Sequence, residues 1–120
     1  MDDDKIAVSI EAGNDLDAPL SPSFGRAPRF LLSGPGPGDD FEIVENTAAA
    51  SGHGAGTGAA ALLADRGVTA VISGRFGPNA YKALEGAGIG MYTALVEKTA
   101  REAIERFRAG RLKKFRVEKY

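Results

Sequence analysis

The sequence predicts a single α/β domain with a five-stranded mixed sheet and three helices that cover both faces of the sheet. Three observations predict this fold class. The chain has 120 residues, which is near the commonest length of one domain. Strand-like apolar runs come first and then alternate with helical patterns, as in a hairpin followed by parallel crossovers. The composition, 43% hydrophobic and 26% charged, is that of an ordinary globular domain.

Three strands are predicted in the first half. Ile6–Ile10 is an apolar, β-branched run of the kind that is buried on both faces of a sheet. After a loop rich in glycine and proline, Arg29–Ser33 and Phe41–Glu45 flank a Gly/Pro turn and therefore predict a hairpin. Because Phe41 and Ile43 alternate with glutamates, the second hairpin strand should lie at a sheet edge with one face in water.

Helix and strand alternate in the second half. Ala59–Arg66, rich in alanine and leucine, predicts a helix that Gly67 ends. A continuous apolar strand, Val68–Ser73, follows. Pro78 suits the first position of a second helix, whose apolar residues recur at helical spacing until Gly86. Ligands of such sheets bind outside the carboxyl ends of the parallel strands.

A last strand and helix complete the predicted domain. The strand Ile89–Thr93 precedes a helix whose capping box pairs Thr99 with Glu102. Apolar residues at helical spacing give this helix one buried stripe, and Gly110 ends it.

The chain ends and the charge limit the class of protein. The domain should occupy residues 6–110, with a disordered start or tag remnant at 1–5. Residues 111–120 form a basic tail that is either frayed or paired at a sheet edge. A net charge of -1 gives no field that would attract nucleic acid or an anionic membrane. No apolar run reaches the roughly 20 residues that span a bilayer. A cytoplasmic protein without a membrane or nucleic-acid partner is therefore expected.

Short motifs along the chain carry a family resemblance. They are Lys5–Ser9, Leu16–Pro19, Phe24–Ala27, Glu45–Asn46, Gly74, Gly77–Ala80, Ala87–Ile89, Ala103–Ile104 and Gly110–Leu112. In order and spacing they resemble the dinitrogenase iron-molybdenum cofactor-binding family. The resemblance implies a ribonuclease-H-like motif and, for some members, handling of an iron-molybdenum cofactor or its precursor during nitrogenase assembly.

The glycine-rich segment Ser51–Gly58 precedes a helix and holds the only histidine, His53. Glycines at positions 52, 54 and 56 (Gly52, Gly54, Gly56) would let backbone N–H groups approach an anionic cluster. The resemblance makes His53 a candidate ligand to iron or molybdenum. The alternative is that the glycines form a linker and that His53 is a solvated side chain.

Two arginines in loops at strand ends are candidates for holding an acidic ligand. A guanidinium at Arg26 or Arg75 would bind a carboxylate or another anion, with Asn79 beside them. The alternative is that Arg26 pairs with a neighbouring carboxylate and that Pro78 and Asn79 only start a helix.

Other sites are disfavoured. The spacing Gly54-x-Gly56-x-x-Ala59 fits a loose dinucleotide fingerprint, but no acidic residue ends the next strand at Ser73. A ribonuclease-H-like nuclease needs carboxylates beginning on its first strand, where Ser9 stands. The chain has no cysteine, no Walker loop and no Ser-His-Asp pattern with a credible context. The sequence therefore predicts a binding protein and not an enzyme.

The leading hypothesis is a non-catalytic binding or carrier protein for an iron-molybdenum or related iron-sulfur cofactor or its precursor. Nitrogenase-assembly proteins are the partners that the resemblance implies. With no thiolate and one imidazole, the chain should hold a cluster weakly, which suits delivery. The alternative is a module of the same fold that binds a small anion or a protein partner and has no metal role.

Overall fold

The computed structural model describes residues 4–35, 40–49, 54–94 and 98–115. Along the chain the elements are β1 (Ile6–Ile10), β2 (Arg29–Ser33), β3 (Phe41–Glu45), α1 (Ala55–Asp65), β4 (Ala70–Ser73), α2 (Pro78–Gly86), β5 (Gly90–Thr93), α3 (Ala100–Arg108) and β6 (Lys113–Lys114). The strands form one sheet in the order β3-β2-β1-β4-β5-β6.

The sheet is mixed, as predicted. β1 lies inside it, antiparallel to β2 and parallel to β4. β2 and β3 form the predicted antiparallel hairpin, and β5 runs parallel to β4. Because β1 is covered on both faces, all five of its residues are buried, which explains its uninterrupted apolar sequence.

The sheet has six strands and not the predicted five. The sixth, β6, comes from the basic tail and pairs Lys113 with Thr93 of β5. Its two lysines carry no apolar pattern, so the residue types did not distinguish an edge strand from a frayed tail. Pairing is instead supported by Phe115, whose ring lies 5.2 Å from that of Phe76 and 5.8 Å from that of Tyr81.

The three helices cover both faces of the sheet, as predicted. α1 and α2 pack on the face that Ala7 and Val71 present, and α3 packs on the face that Val8 and Ile72 present. Successive strand residues point to opposite faces, so β1 and β4 each supply both cores. Within the described residues, no helix has the length and apolar character needed to cross a membrane.

Helix α1 begins at Ala55, four residues before its predicted start. Gly56 and Gly58 are poor helix formers, and for this reason the sequence appeared to be a loop there. Packing explains their presence, because a Cβ at Gly56 would lie 2.8 Å from the Cβ of Ala80, and one at Gly58 would lie 2.8 Å from the Cβ of Ala48.

Candidate binding site

A cleft opens where the first turns of α1 and α2 meet the loop that precedes β2. Its volume is about 290 Å³. It lies where β4 leads into α2, outside the carboxyl ends of the parallel strands, which is the expected position of a ligand site. We call it the α1–α2 cleft; its lining residues are Ser23, Gly25, Arg26, Gly54, Ala55, Gly56, Gly77, Pro78, Asn79 and Ala80.

The first turn of α1 is not capped by a side chain. Gly54, the N-cap residue, has a φ of 81°, a left-handed conformation that glycine adopts without strain. No side chain of the described residues bonds to the cap, and the first turn contains no acidic residue. The positive end of the helix dipole therefore faces the cleft without a compensating carboxylate from this turn.

The first turn of α2 has the same property. Gly77 is its N-cap residue, Pro78 occupies the first turn, and neither a side-chain cap nor an acidic residue is present there among the described residues. The Gly77 carbonyl accepts the helical bond from the Tyr81 N–H at 2.9 Å. Two helix N-termini thus line one hollow, and backbone N–H groups at such ends bind anions.

Glycines set how closely the walls of the cleft approach. A Cβ at Gly25 would lie 3.1 Å from both the backbone nitrogen and the Cα of Gly56. The chain thus packs backbone against backbone here, and Gly56 also contacts Ala80 across the helix pair. The sequence predicted that glycine at position 56 gives a ligand access to the backbone amide. The structure adds a second reason for glycine here, which is close packing against Gly25 and Ala80.

Arg26 supplies a cationic side chain at the cleft. It is exposed, and its Nη1 donates to the carbonyl oxygen of Ala49 at 2.9 Å. Asn46 holds the loop that carries Arg26. This residue is buried, and its Nδ2 donates to the Gly25 and Ala27 carbonyl oxygens.

The structure brings together four of the residues that the sequence proposed as a site. Arg26, Gly54, Gly56 and Asn79 all line the α1–α2 cleft. Arg75 is exposed on the loop between β4 and α2 and is not among the lining residues, although its carbonyl oxygen accepts from the Phe24 N–H at 3.1 Å. Gly52 and His53 lie outside the described residues.

Two polar residues at or near the cleft were not proposed as site residues from the sequence. Ser23 lines it, and Asn46 entered the sequence analysis only as part of a family motif. A polar residue directly after an edge strand is a weak signal, because it is equally common in solvated turns. Burial of Asn46 depends on segments about twenty positions away in the chain, so the sequence alone could not reveal it.

The described residues contain no group of three or more histidine, cysteine, aspartate or glutamate side chains that could hold a metal ion. A second hollow, about 470 Å³, lies at the other end of α2 and is lined by Tyr81, Glu85, Lys114 and Phe115 among others. None of the residues proposed from the sequence lines it. The α1–α2 cleft is therefore the better candidate site, and its chemistry suits an anion.

A family match covers most of the chain. The family described as "Dinitrogenase iron-molybdenum cofactor" matches residues 4–110. This match confirms the resemblance predicted from the short motifs.

Individual relatives match at similar length. An uncharacterised protein of Methanocaldococcus jannaschii is 39% identical over 113 residues, which cover 92% of this chain and 91% of that protein. The apo form of the orange protein from Desulfovibrio gigas is 36% identical with a TM-score of 0.86, and the match covers 92% of each chain. A Thermotoga protein described as a candidate NifB protein is 32% identical with a TM-score of 0.78, covering 97% of this chain and 99% of that one.

Proposed function

Because the chain belongs to the dinitrogenase iron-molybdenum cofactor family, we propose that it is a non-catalytic binding or carrier protein for an iron-molybdenum or related iron-sulfur cofactor or its precursor. The α1–α2 cleft is where this cargo binds. The descriptions of two similar proteins, one solved in an apo form and one a candidate NifB protein, support a cofactor-binding role.

The observation that carries the proposal is the meeting of two helix N-termini and Arg26 around one cleft. Neither helix has an acidic residue in its first turn, so both dipoles favour a negative ligand. The guanidinium adds a full positive charge and directional N–H donors. A cluster with sulfide or carboxylate groups on its surface presents the acceptors that these donors require.

The cargo is held mainly through its outer atoms. The chain has no cysteine, so it offers no thiolate, the usual protein ligand of an iron-sulfur cluster. His53 is the proposed metal ligand, a role supported by its peptide bond to Gly54, which lines the cleft. One imidazole and several N–H donors give loose binding, which suits transfer to nitrogenase-assembly partners in the cytoplasm. The ribonuclease-H-like motif that the family resemblance implies stays a prediction.

A second candidate is a module that binds a small organic anion or a protein partner and has no metal role. The same N–H groups and guanidinium would bind a carboxylate equally well. For a protein partner, the hairpin strand β3 offers the unpaired backbone groups of a sheet edge.

Anaerobic incubation with isolated iron-molybdenum cofactor, desalting and metal analysis distinguishes the two. We expect the wild-type protein to retain iron and molybdenum. His53→Ala and Arg26→Ala should each weaken retention about tenfold, since a charge-assisted or metal bond is lost. Arg75→Ala tests whether the second arginine also contributes, and Arg111→Ala, an exposed arginine after α3, is the matched control. Absence of retained metal in the wild-type protein would contradict the carrier function.

A further inference from the structure

Asn46 makes more hydrogen bonds than a surface turn requires. It is 6% exposed and follows directly after β3. Its Nδ2 donates to the carbonyl oxygens of Ala27 at 2.7 Å and Gly25 at 3.3 Å. Its Oδ1 accepts from the Ala48 N–H at 3.2 Å. Both Nδ2 hydrogens and the amide oxygen therefore have partners, as a buried amide demands.

The Nδ2 bonds of Asn46 hold the backbone on both sides of Arg26. The two carbonyls that Nδ2 binds belong to the residues immediately before and after Arg26. The Arg26 side chain in turn donates from Nη1 to the Ala49 carbonyl oxygen at 2.9 Å, and the Ala49 N–H donates to the Asn46 carbonyl oxygen at 3.1 Å. The backbone and the side chain of Arg26 are thus both tied to the segment that begins at Asn46.

Packing and hydrogen bonds together hold the loop that carries Arg26. Phe24 and Ala27 are buried in the core, whereas Gly25 has no side chain and its backbone lies against that of Gly56. Asn46 also anchors the end of the loop through its own N–H, which donates to the Pro28 carbonyl oxygen at 3.0 Å. Loss of the side chain would leave the buried Ala27 carbonyl without this donor, and the loop would rearrange to hydrate it.

We propose that Asn46 is a positioning residue that holds the Arg26 guanidinium at the mouth of the α1–α2 cleft. It acts through Arg26 and not by touching the cargo. The inference rests on the proposed function only in taking the guanidinium to face a bound anion; the positioning itself is a property of the protein alone.

The first test is a double-mutant cycle with iron-molybdenum cofactor as the probe. Asn46→Ala and Arg26→Ala should each lower cofactor affinity about tenfold, and the double variant should also lose about tenfold, because Asn46 has nothing to position once the guanidinium is absent. A double variant that loses about a hundredfold would show that Asn46 acts independently of Arg26 and would overturn the inference. So would an Asn46→Ala protein with wild-type affinity.

Thr99→Ala controls for a general loss of stability. Thr99 caps α3, where its side chain accepts from the Glu102 N–H, and it does not line the cleft. Its replacement should lower stability by about 1 kcal/mol without changing cofactor affinity. Asn46→Asp is the donor-specific variant: it keeps the oxygen that binds the Ala48 N–H and removes the two N–H donors. It should weaken affinity at least as much as Asn46→Ala does, because the carboxylate would also repel the Gly25 and Ala27 carbonyl oxygens.

The second test needs no ligand. In NMR relaxation and hydrogen-exchange measurements, the Arg26 side-chain N–H groups should become more mobile and exchange faster in Asn46→Ala. Arg101 on α3 is the internal reference, because its Nε donates to Asp17 at 3.2 Å, away from the segment around Asn46. Unchanged Arg26 signals would overturn the positioning inference even where cofactor binds. If the wild-type protein retains no cofactor but Arg26 responds, the proposed function fails and the inference stands.

Discussion

Gly56 of α1 lies directly against Ala80 of α2, so closely that a Cβ at position 56 would stand 2.8 Å from the Cβ of Ala80 and 3.2 Å from its Cα. Contacts below 3.0 Å force something to move, and here part of the obstacle is helix backbone. The two helices that form the cleft therefore owe their separation to a missing side chain. The dimensions of the proposed site and the packing of the two helices both depend on the absence of a Cβ atom at residue 56.

Gly56→Ala should push α1 and α2 apart. We expect a loss of about 1–3 kcal/mol in the free energy of unfolding, the usual cost of overpacking, measured by urea denaturation, together with weaker cofactor retention. Gly86→Ala is the matched control, since it is also helical and a Cβ there meets nothing within 4 Å. The control should be neutral or stabilising by about 0.5–1 kcal/mol. Equal effects of the two changes would contradict the packing argument.

Gly54→Ala should strain the start of α1. With a φ of 81°, the residue occupies the left-handed region, although a Cβ there would meet nothing within 4 Å. The cost is therefore conformational, about 1–2 kcal/mol. Gly77 begins α2 at a φ of -73° with equally open space, so Gly77→Ala should escape this strain and lose only the N-cap preference of glycine over alanine, about 0.5 kcal/mol. Thermal unfolding of both variants checks the difference.

Ser9→Ala or Ser73→Ala should stabilise the protein. Both hydroxyls are fully buried and have no hydrogen-bond partner within the described structure. They follow Val8 and Ile72, the last residues at which β1 and β4 pair with each other, and they lie on the face that α1 and α2 cover. Removing an unsatisfied buried hydroxyl should raise the free energy of unfolding by about 1 kcal/mol.

Ser33 provides the comparison for these two serines. It is also buried, but its Oγ donates to the Asp40 carbonyl oxygen at 3.2 Å and accepts from Arg108 Nη2 at 3.3 Å. Ser33→Ala should therefore lower stability. A loss of stability in Ser9→Ala or Ser73→Ala would show that bound water satisfies the hydroxyl.

Cofactor binding should weaken as the salt concentration rises if it depends mainly on the attraction between Arg26, the helix N-termini and the outer atoms of the cofactor. Arg26 is exposed, and the Debye length falls from about 8 Å at 0.15 M to about 3 Å at 1 M ionic strength. We expect retention after desalting to fall steeply over this range, and Arg26→Ala to reduce the dependence. Retention that ignores salt but disappears in His53→Ala would instead assign the binding to direct metal ligation.

The sequence predicted well those elements whose stabilising bonds join residues close together in the chain. Thr99 accepts from the Glu102 N–H at 3.2 Å and caps α3 as predicted. The reciprocal half of the predicted box is shifted by one residue, because Glu102 Oε1 accepts from the Lys98 N–H at 3.3 Å. The hairpin of β2 and β3 was predicted for the same reason, since alternation and a Gly/Pro turn are contained within a few residues.

The features that the sequence did not predict depend on distant partners. The early start of α1 follows from Ala80 and Ala48 packing on its glycines, and β6 follows from the open edge of β5. Arg26 and Arg75 have similar sequence surroundings. Arg26 donates to the Ala49 carbonyl oxygen, and Asn46 binds the carbonyl oxygen of the neighbouring Ala27. Both bonds link segments about twenty positions apart.

The position of β6 at the margin of the sheet affects self-association. Its two residues are both lysines, and both are exposed. A second molecule that tried to extend the sheet along this margin would bring its own ammonium groups close to these, with like-charge repulsion and loss of hydration. The lysine pair thus disfavours edge-to-edge addition of strands from other molecules. This effect is independent of ligand binding in the cleft.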